Sequence, residues 1–215
     1  MSARAVVLPG TALLVPGAGG GTDRLGEVRR AVGDALDGLL ASLGPGPQED
    51  GALAVLAPAP RGASGRSGRL RPRLAGAGIA DRWLPDVAGW PATPAPAAHV
   101  PASVALLALG AALVRAGRGG ARSGVVVVEV AGCGPTPPEA LAMLRRANGI
   151  VVAGGAGPGA PGAEAPGSPT GDPAVARALD AAAAPGAWAW RLTSVPGGHE
   201  HLPPSYTVGE GRAAG

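Results

Sequence analysis

Apolar residues run along this chain in two rhythms. Short solid runs, "AVVL" at residues 5–8, "ALAVLA" at 52–57, "VVVVEV" at 125–130 and "IVVAGG" at 150–155, read as buried strands. Between them the spacing changes to three and four. Val28, Val32, Leu36, Leu39, Leu40 and Leu43 share one stripe, with Arg29, Arg30, Asp34 and Asp37 mostly off it, which predicts an amphipathic helix. Thr22-Asp23 would cap its start and Gly44-Pro45-Gly46-Pro47 would stop it. A second helix is predicted from a cap at Ser103 to about Ala116. A third starts at Pro137-Pro138-Glu139 and reaches Asn148-Gly149, and a fourth follows the cap and first-turn pair Asp172-Pro173 to about Ala184. "AWAWRLTSV", residues 187–195, adds a last strand.

Four consecutive valines in a strand point to burial on both faces, as in a sheet covered by helices. The strand, helix, strand order over residues 125–155 is that of a right-handed βαβ unit with parallel pairing. The expected fold is therefore α/β: a single domain with a mostly parallel central sheet flanked by helices and long Gly/Pro-rich loops. Residues 1–195 form the expected domain and 196–215 a flexible C-terminal tail. Residues 61–73, 91–101 and 156–171 read as loops, with a short element near 79–84. Trp83 and Trp90 are expected to plug the core.

Composition narrows the function classes. Gly (38) and Pro (24) take more than a quarter of the 215 residues, which fits a folded core carrying long loops. All 18 basic residues are arginine and the net charge is +3. The one dense basic block, residues 61–73, holds five arginines and no aromatic side chain to stack a base, so a solvated loop is expected there and nucleic acid is not an expected partner. A lone cysteine, Cys133, allows no internal disulfide and fits a reducing compartment. The N-terminus shows no secretory h-region, and the longest apolar run, Val104 to Val114, is too short to span a bilayer. A cytoplasmic protein without membrane attachment is the expectation.

In such a fold, sites form at the carboxyl ends of the strands. Four ends are available here: Pro9-Gly10-Thr11, Pro58-Ala59-Pro60-Arg61, Gly132-Cys133-Gly134-Pro135 and Gly154-Gly155-Ala156-Gly157. None offers a histidine or a carboxylate. Glu129, inside the valine strand, is either a paired buried charge or an edge residue facing solvent. Cys133 has no nearby His or Asp to activate it and reads as a small buried residue. His199 and His201 flank Glu200 in an H-x-H arrangement that could grip a metal, but a flexible tail would supply no supporting shell. His99 lies in a Pro/Ala-rich stretch. The glycine-rich turns at Gly17 to Gly21 and Gly132 to Pro135 lack the spacing of a dinucleotide fingerprint.

The opening "VVLPGTALLVPGAGGGTDRLGEVRRAVGDALDGLL", with "VPASVALLALGAALVRAG", "GVVVVEVAG", "GIVVAGGAG" and "GDPAVARALDAA", resembles the class III extradiol ring-cleavage dioxygenase superfamily, in its short subunit-B-like members from high-GC bacteria. The resemblance covers most of the chain loosely, and its most specific piece is the opening motif. It implies a non-haem Fe(II) held by two histidines and a glutamate, a catecholic substrate, and a further histidine as acid/base. The first ligand would follow the proline of the first strand, where this chain has Gly10. The second would follow the second strand, where it has Pro58-Ala59-Pro60. No catalytic, cofactor or metal residue therefore transfers. The resulting expectation is a dioxygenase-like domain without iron, serving in binding or assembly with a protein partner or a second copy. The alternatives are an active Fe(II) dioxygenase with Glu129, His199 and His201 as ligands, or a nucleotide-binding α/β protein.

Overall fold

A computed structural model describes residues 4–18, 23–44, 52–84, 90, 95–132, 134–154, 170–183, 188–197 and 202–213. The apolar runs become strands β1 (Arg4–Pro9) and β2 (Leu53–Pro58), then, after the short β3 (Arg66–Gly68), β4 (Val126–Val130) and β5 (Gly149–Gly154). Two longer strands, β6 (Trp188–Pro196) and β7 (Ser205–Ala213), complete one seven-stranded sheet of order β3-β4-β2-β5-β1-β7-β6.

The sheet is mixed, not mostly parallel. Its centre, β4-β2-β5-β1, is parallel throughout, but β3 joins β4 antiparallel, β7 joins β1 antiparallel, and β6 and β7 form an antiparallel pair. Chain length explains one of these pairs: the eight residues between β6 and β7 are too few for a parallel crossover, which needs a dozen or more.

Two expected loops are strands. The presumed tail contains β7, inserted between β1 and β6 with Val6 opposite Glu210 and Val7 opposite Gly209. Gly209 and Gly211 weaken the apolar alternation by which a strand is recognised in sequence. Their bareness is structural: a Cβ on Gly211 would lie 2.6 Å from the Trp190 ring. In the presumed loop 61–73, β3 lies along β4, and Gly65 permits it, since a Cβ there would lie 2.8 Å from the Glu129 carbonyl oxygen.

Alternate strand residues point to opposite faces. Val6, Leu8, Val55, Ala57, Val127, Val151 and Ala153 meet α1 (Gly26–Ser42) and α2 (Val100–Arg115). Ala5, Val7, Ala54, Leu56, Val128, Val130, Ile150 and Val152 meet α3 (Pro138–Arg146) and α4 (Pro173–Ala182). The stripe read in the sequence is the buried face of α1, with Val28, Val32, Leu36, Leu39 and Leu40 inside. Helix α2 is apolar almost all round because it packs on both the sheet and α1.

The helix ends differ from expectation in three places. Helix α1 begins after Leu25 without a side-chain cap, and Asp23 pairs with Arg29 instead; Thr22 lies outside the described residues. The cap position of α2 is His99, and Ser103 is inside the helix, where its buried hydroxyl donates to Ala98 O (3.1 Å) and accepts from Arg73 N–H (2.9 Å). Helix α3 ends at Arg146, two residues before Asn148. Asp172 does cap α4, accepting from the amides of Ala174 (2.8 Å) and Val175 (3.1 Å).

Trp90 is buried, with Gly110 opening room for its ring, whereas Trp83 is 68% exposed under the Arg82 guanidinium and plugs nothing. Among the described residues no helix is long and apolar enough to cross a membrane.

Candidate functional site at the carboxyl ends of the strands

The four parallel strands deliver their carboxyl ends to one edge of the sheet, and the first turn of α2 lies across it. At the end of β1, Gly10 N–H donates to Gly154 O (3.1 Å). A Cβ on Gly10 would sit 2.7 Å from that oxygen and 3.1 Å from Cβ of Pro101, in the first turn of α2. Such distances leave no room for a side chain without backbone movement. Thr11, the one polar residue at this lip, accepts from Leu13 N–H (3.4 Å) and starts the 3-10 turn Ala12–Leu14. At the end of β2, Pro58 pairs with Val130 and Ala59 N–H donates to Val130 O (2.7 Å). At the end of β5, the space beside Gly154 is bounded by Leu8 O and Thr170 O.

The end of β4 is different. Glu129 points to the α1/α2 side of the sheet, and its side chain has no exposed surface. Both carboxylate oxygens are engaged. Oε1 accepts from the backbone N–H of His99 (2.6 Å), while Oε2 accepts from Arg66 Nε (2.5 Å) and lies 2.8 Å from His99 Nδ1. Of the two sequence readings of Glu129, the paired buried charge is the one observed.

Local structure explains each partner. Arg66 stands directly opposite Glu129 in the β3–β4 ladder. His99 has the extended backbone of a helix cap, and its free N–H at the helix start is satisfied by the carboxylate. An anion at a helix N-terminus is also favoured by the helix dipole.

A carboxylate only accepts, so Nδ1 of His99 carries the proton and Nε2 is the remaining ring nitrogen. His99 is 27% and Arg66 34% exposed, so imidazole and guanidinium have one side against a buried anion and the other toward solvent. Arg66, Ser67, Thr136 and Glu139 also border a crevice of about 210 Å³ between β4 and the start of α3, the helix that packs on the other side of the sheet. The arrangement can fix an imidazole in one tautomer and present guanidinium donors to a ligand.

Comparison of the chain with family models, curated proteins and solved structures finds no match in any of the three.

Among the described residues the donor set does not suit Fe(II). Gly10 and Pro58 provide no donor atom, and the Glu129 oxygens already face N–H groups. Among the described residues no group of three His, Cys, Asp or Glu side chains could hold a metal ion. His199, His201 and Cys133 lie outside the described residues. Sequence reasoning missed the joining of His99 and Arg66 to Glu129. Only one signal was available, a histidine two residues before a proline that can occupy a first helical turn.

Proposed function

We propose that this chain is a class III extradiol dioxygenase-like scaffold that does not hold iron and works as a binding or assembly domain. The observation that carries the reading is the filled position at Gly10: where the resemblance expects an imidazole, the Gly154 carbonyl and the Pro101 ring already occupy the space of a Cβ. Pro58 supports it at the second position, and the engaged oxygens of Glu129 support it against the alternative ligand set. The partly exposed Arg66 and His99 supply donors of the kind a binding role would use.

The test is purification without oxygen in the presence of Fe(II), followed by metal analysis and assay with simple catechols. The expected result is substoichiometric, weakly held iron and no ring cleavage. Stoichiometric iron lost on His199→Ala or His201→Ala, together with catechol turnover, would establish the dioxygenase with unusual ligands instead.

A further inference from the structure

We propose that the outer edge of β6 is a dimer interface at which two copies of this chain pair antiparallel across a two-fold axis, joining their sheets. The inference deepens the assembly half of the reading above and rests on it only in that respect.

The hydrogen-bond parity of the hairpin carries the argument. Gly197 N–H donates to Pro204 O (3.0 Å), continuing the register that sets Trp188 opposite Ala213 and Pro196 opposite Ser205. In an antiparallel ladder, hydrogen-bonded and non-hydrogen-bonded pairs alternate. Arg191, Thr193 and Val195 therefore bond to β7, and the N–H and C=O groups of Trp188, Trp190, Leu192 and Ser194 point outward. Among the described residues β6 is the terminal strand of the sheet. Nine residues of edge run without a break, and the usual protections of an edge are scarce. The strand has no proline before Pro196, and its single charge, Arg191, is neutralised by Glu210 at 2.7 Å. Leu192, at its midpoint, is 51% exposed.

The strand is complementary to itself. Centred on Leu192, the two-fold register sets Leu192 against its own copy, Trp190 against Ser194 and Trp188 against Pro196, so that the outward-facing residues of one copy meet the outward-facing residues of the other. Pro196, which lacks an N–H, falls at the limit of the ladder. Arg191 then faces Thr193. A register centred one residue earlier would set the two Arg191 positions opposite each other, a like-charge pair that is disfavoured. The other edge of the sheet offers no such template. Strand β3 has three residues and ends at Gly68, whose φ is +135°.

The experiment is sedimentation equilibrium on the full chain, with Leu192→Lys and Leu192→Glu variants run separately and mixed. Each variant's fold is checked by circular dichroism, and since Leu192 is half exposed both are expected to stay folded. The wild type should be a dimer, and each variant should dimerise on the order of a hundredfold more weakly, because a like-charge pair is forced onto the axis. The mixture should recover a heterodimer. A monomeric wild type at all concentrations would overturn the proposal, as would a dimer indifferent to Leu192→Lys. Iron content measured on the same samples separates the two readings, since an iron-loaded dimer would remove the iron-free reading and leave the edge standing.

Discussion

The carboxyl ends of β1 and β4 lie on the same edge of one sheet and meet the same turn of α2, yet they are built in opposite ways. At β1 the chain uses absence. Gly10 carries no side chain, and Pro101 and the Gly154 carbonyl close over it. At β4 it uses a buried charge that ties β3 and the start of α2 to the central strand through Arg66 and His99. One end can be packed because Gly10 brings no side chain and the one hydroxyl at the lip, that of Thr11, is already bonded. The other keeps a charge out of water only because three donors surround it. The contrast locates the available chemistry: the β1 lip is closed, and the β4 end has ionisable groups that reach solvent.

Removing the charge should have the largest effect. Glu129→Ala leaves the guanidinium of Arg66 and the cap N–H of His99 without their acceptor. Breaking a fully buried pair costs about 3–5 kcal/mol, and because Arg66 and His99 can be partly rehydrated the low end, about 3 kcal/mol, is expected. Urea denaturation reads this directly, and a loss below about 1 kcal/mol would mean that the β4 end is no more demanding than the β1 end. Next comes Gly10→His, which introduces the imidazole that the resemblance would place there. Overpacking against Gly154 and Pro101 should destabilise the chain by about 2 kcal/mol. Metal content should not rise. An unchanged melting temperature with new iron binding would show that the lip is open. Ser103→Ala should follow at about 1–2 kcal/mol, since the buried hydroxyl joins Ala98 O and Arg73 N–H beneath the cap of α2. Faster exchange of the Arg73 amide would mark the local loosening, and unaltered protection there would argue that the hydroxyl does not anchor the turn.

The two ends were also unequally legible. Solid apolar runs and a three-four stripe are strong local signals, so β1, β2, β4, β5 and the buried face of α1 could be read directly. The lack of a histidine or carboxylate side chain at Gly10 and Pro58 was visible too, because a missing side chain is missing in any fold. What could not be read depended on distant residues meeting. Glu129 acquires its meaning from Arg66, 63 residues earlier, and from His99, 30 residues earlier. The basic stretch holding Arg66 looks like a loop until it is laid along β4. The same holds for β7, whose glycines gave no periodic signal and whose place between β1 and β6 is set by the Trp190 ring lying over Gly211.

A second carboxylate facing arginines of that same stretch gives the smallest and most discriminating prediction. Asp81 approaches Arg71 at 3.4 Å and Arg73 at 3.9 Å through Oδ2, and its side chain is 41% exposed. Its Oδ1 is buried and has no hydrogen-bond partner among the described residues. Long ion pairs at a partly exposed site contribute from nothing to about 1 kcal/mol, and deleting an unsatisfied buried acceptor relieves a desolvation penalty of similar size. The two terms oppose each other, so Asp81→Ala should change stability by less than about 0.5 kcal/mol in either direction. Glu129→Ala and Asp81→Ala thus remove the same group from the neighbourhood of the same arginine-rich segment, and they should differ severalfold in a matched pair of urea titrations. Equal losses would mean that net charge near the arginines governs stability. Unequal losses in the stated order would mean that burial and donor geometry do, which is what sets the end of β4 apart from its surroundings.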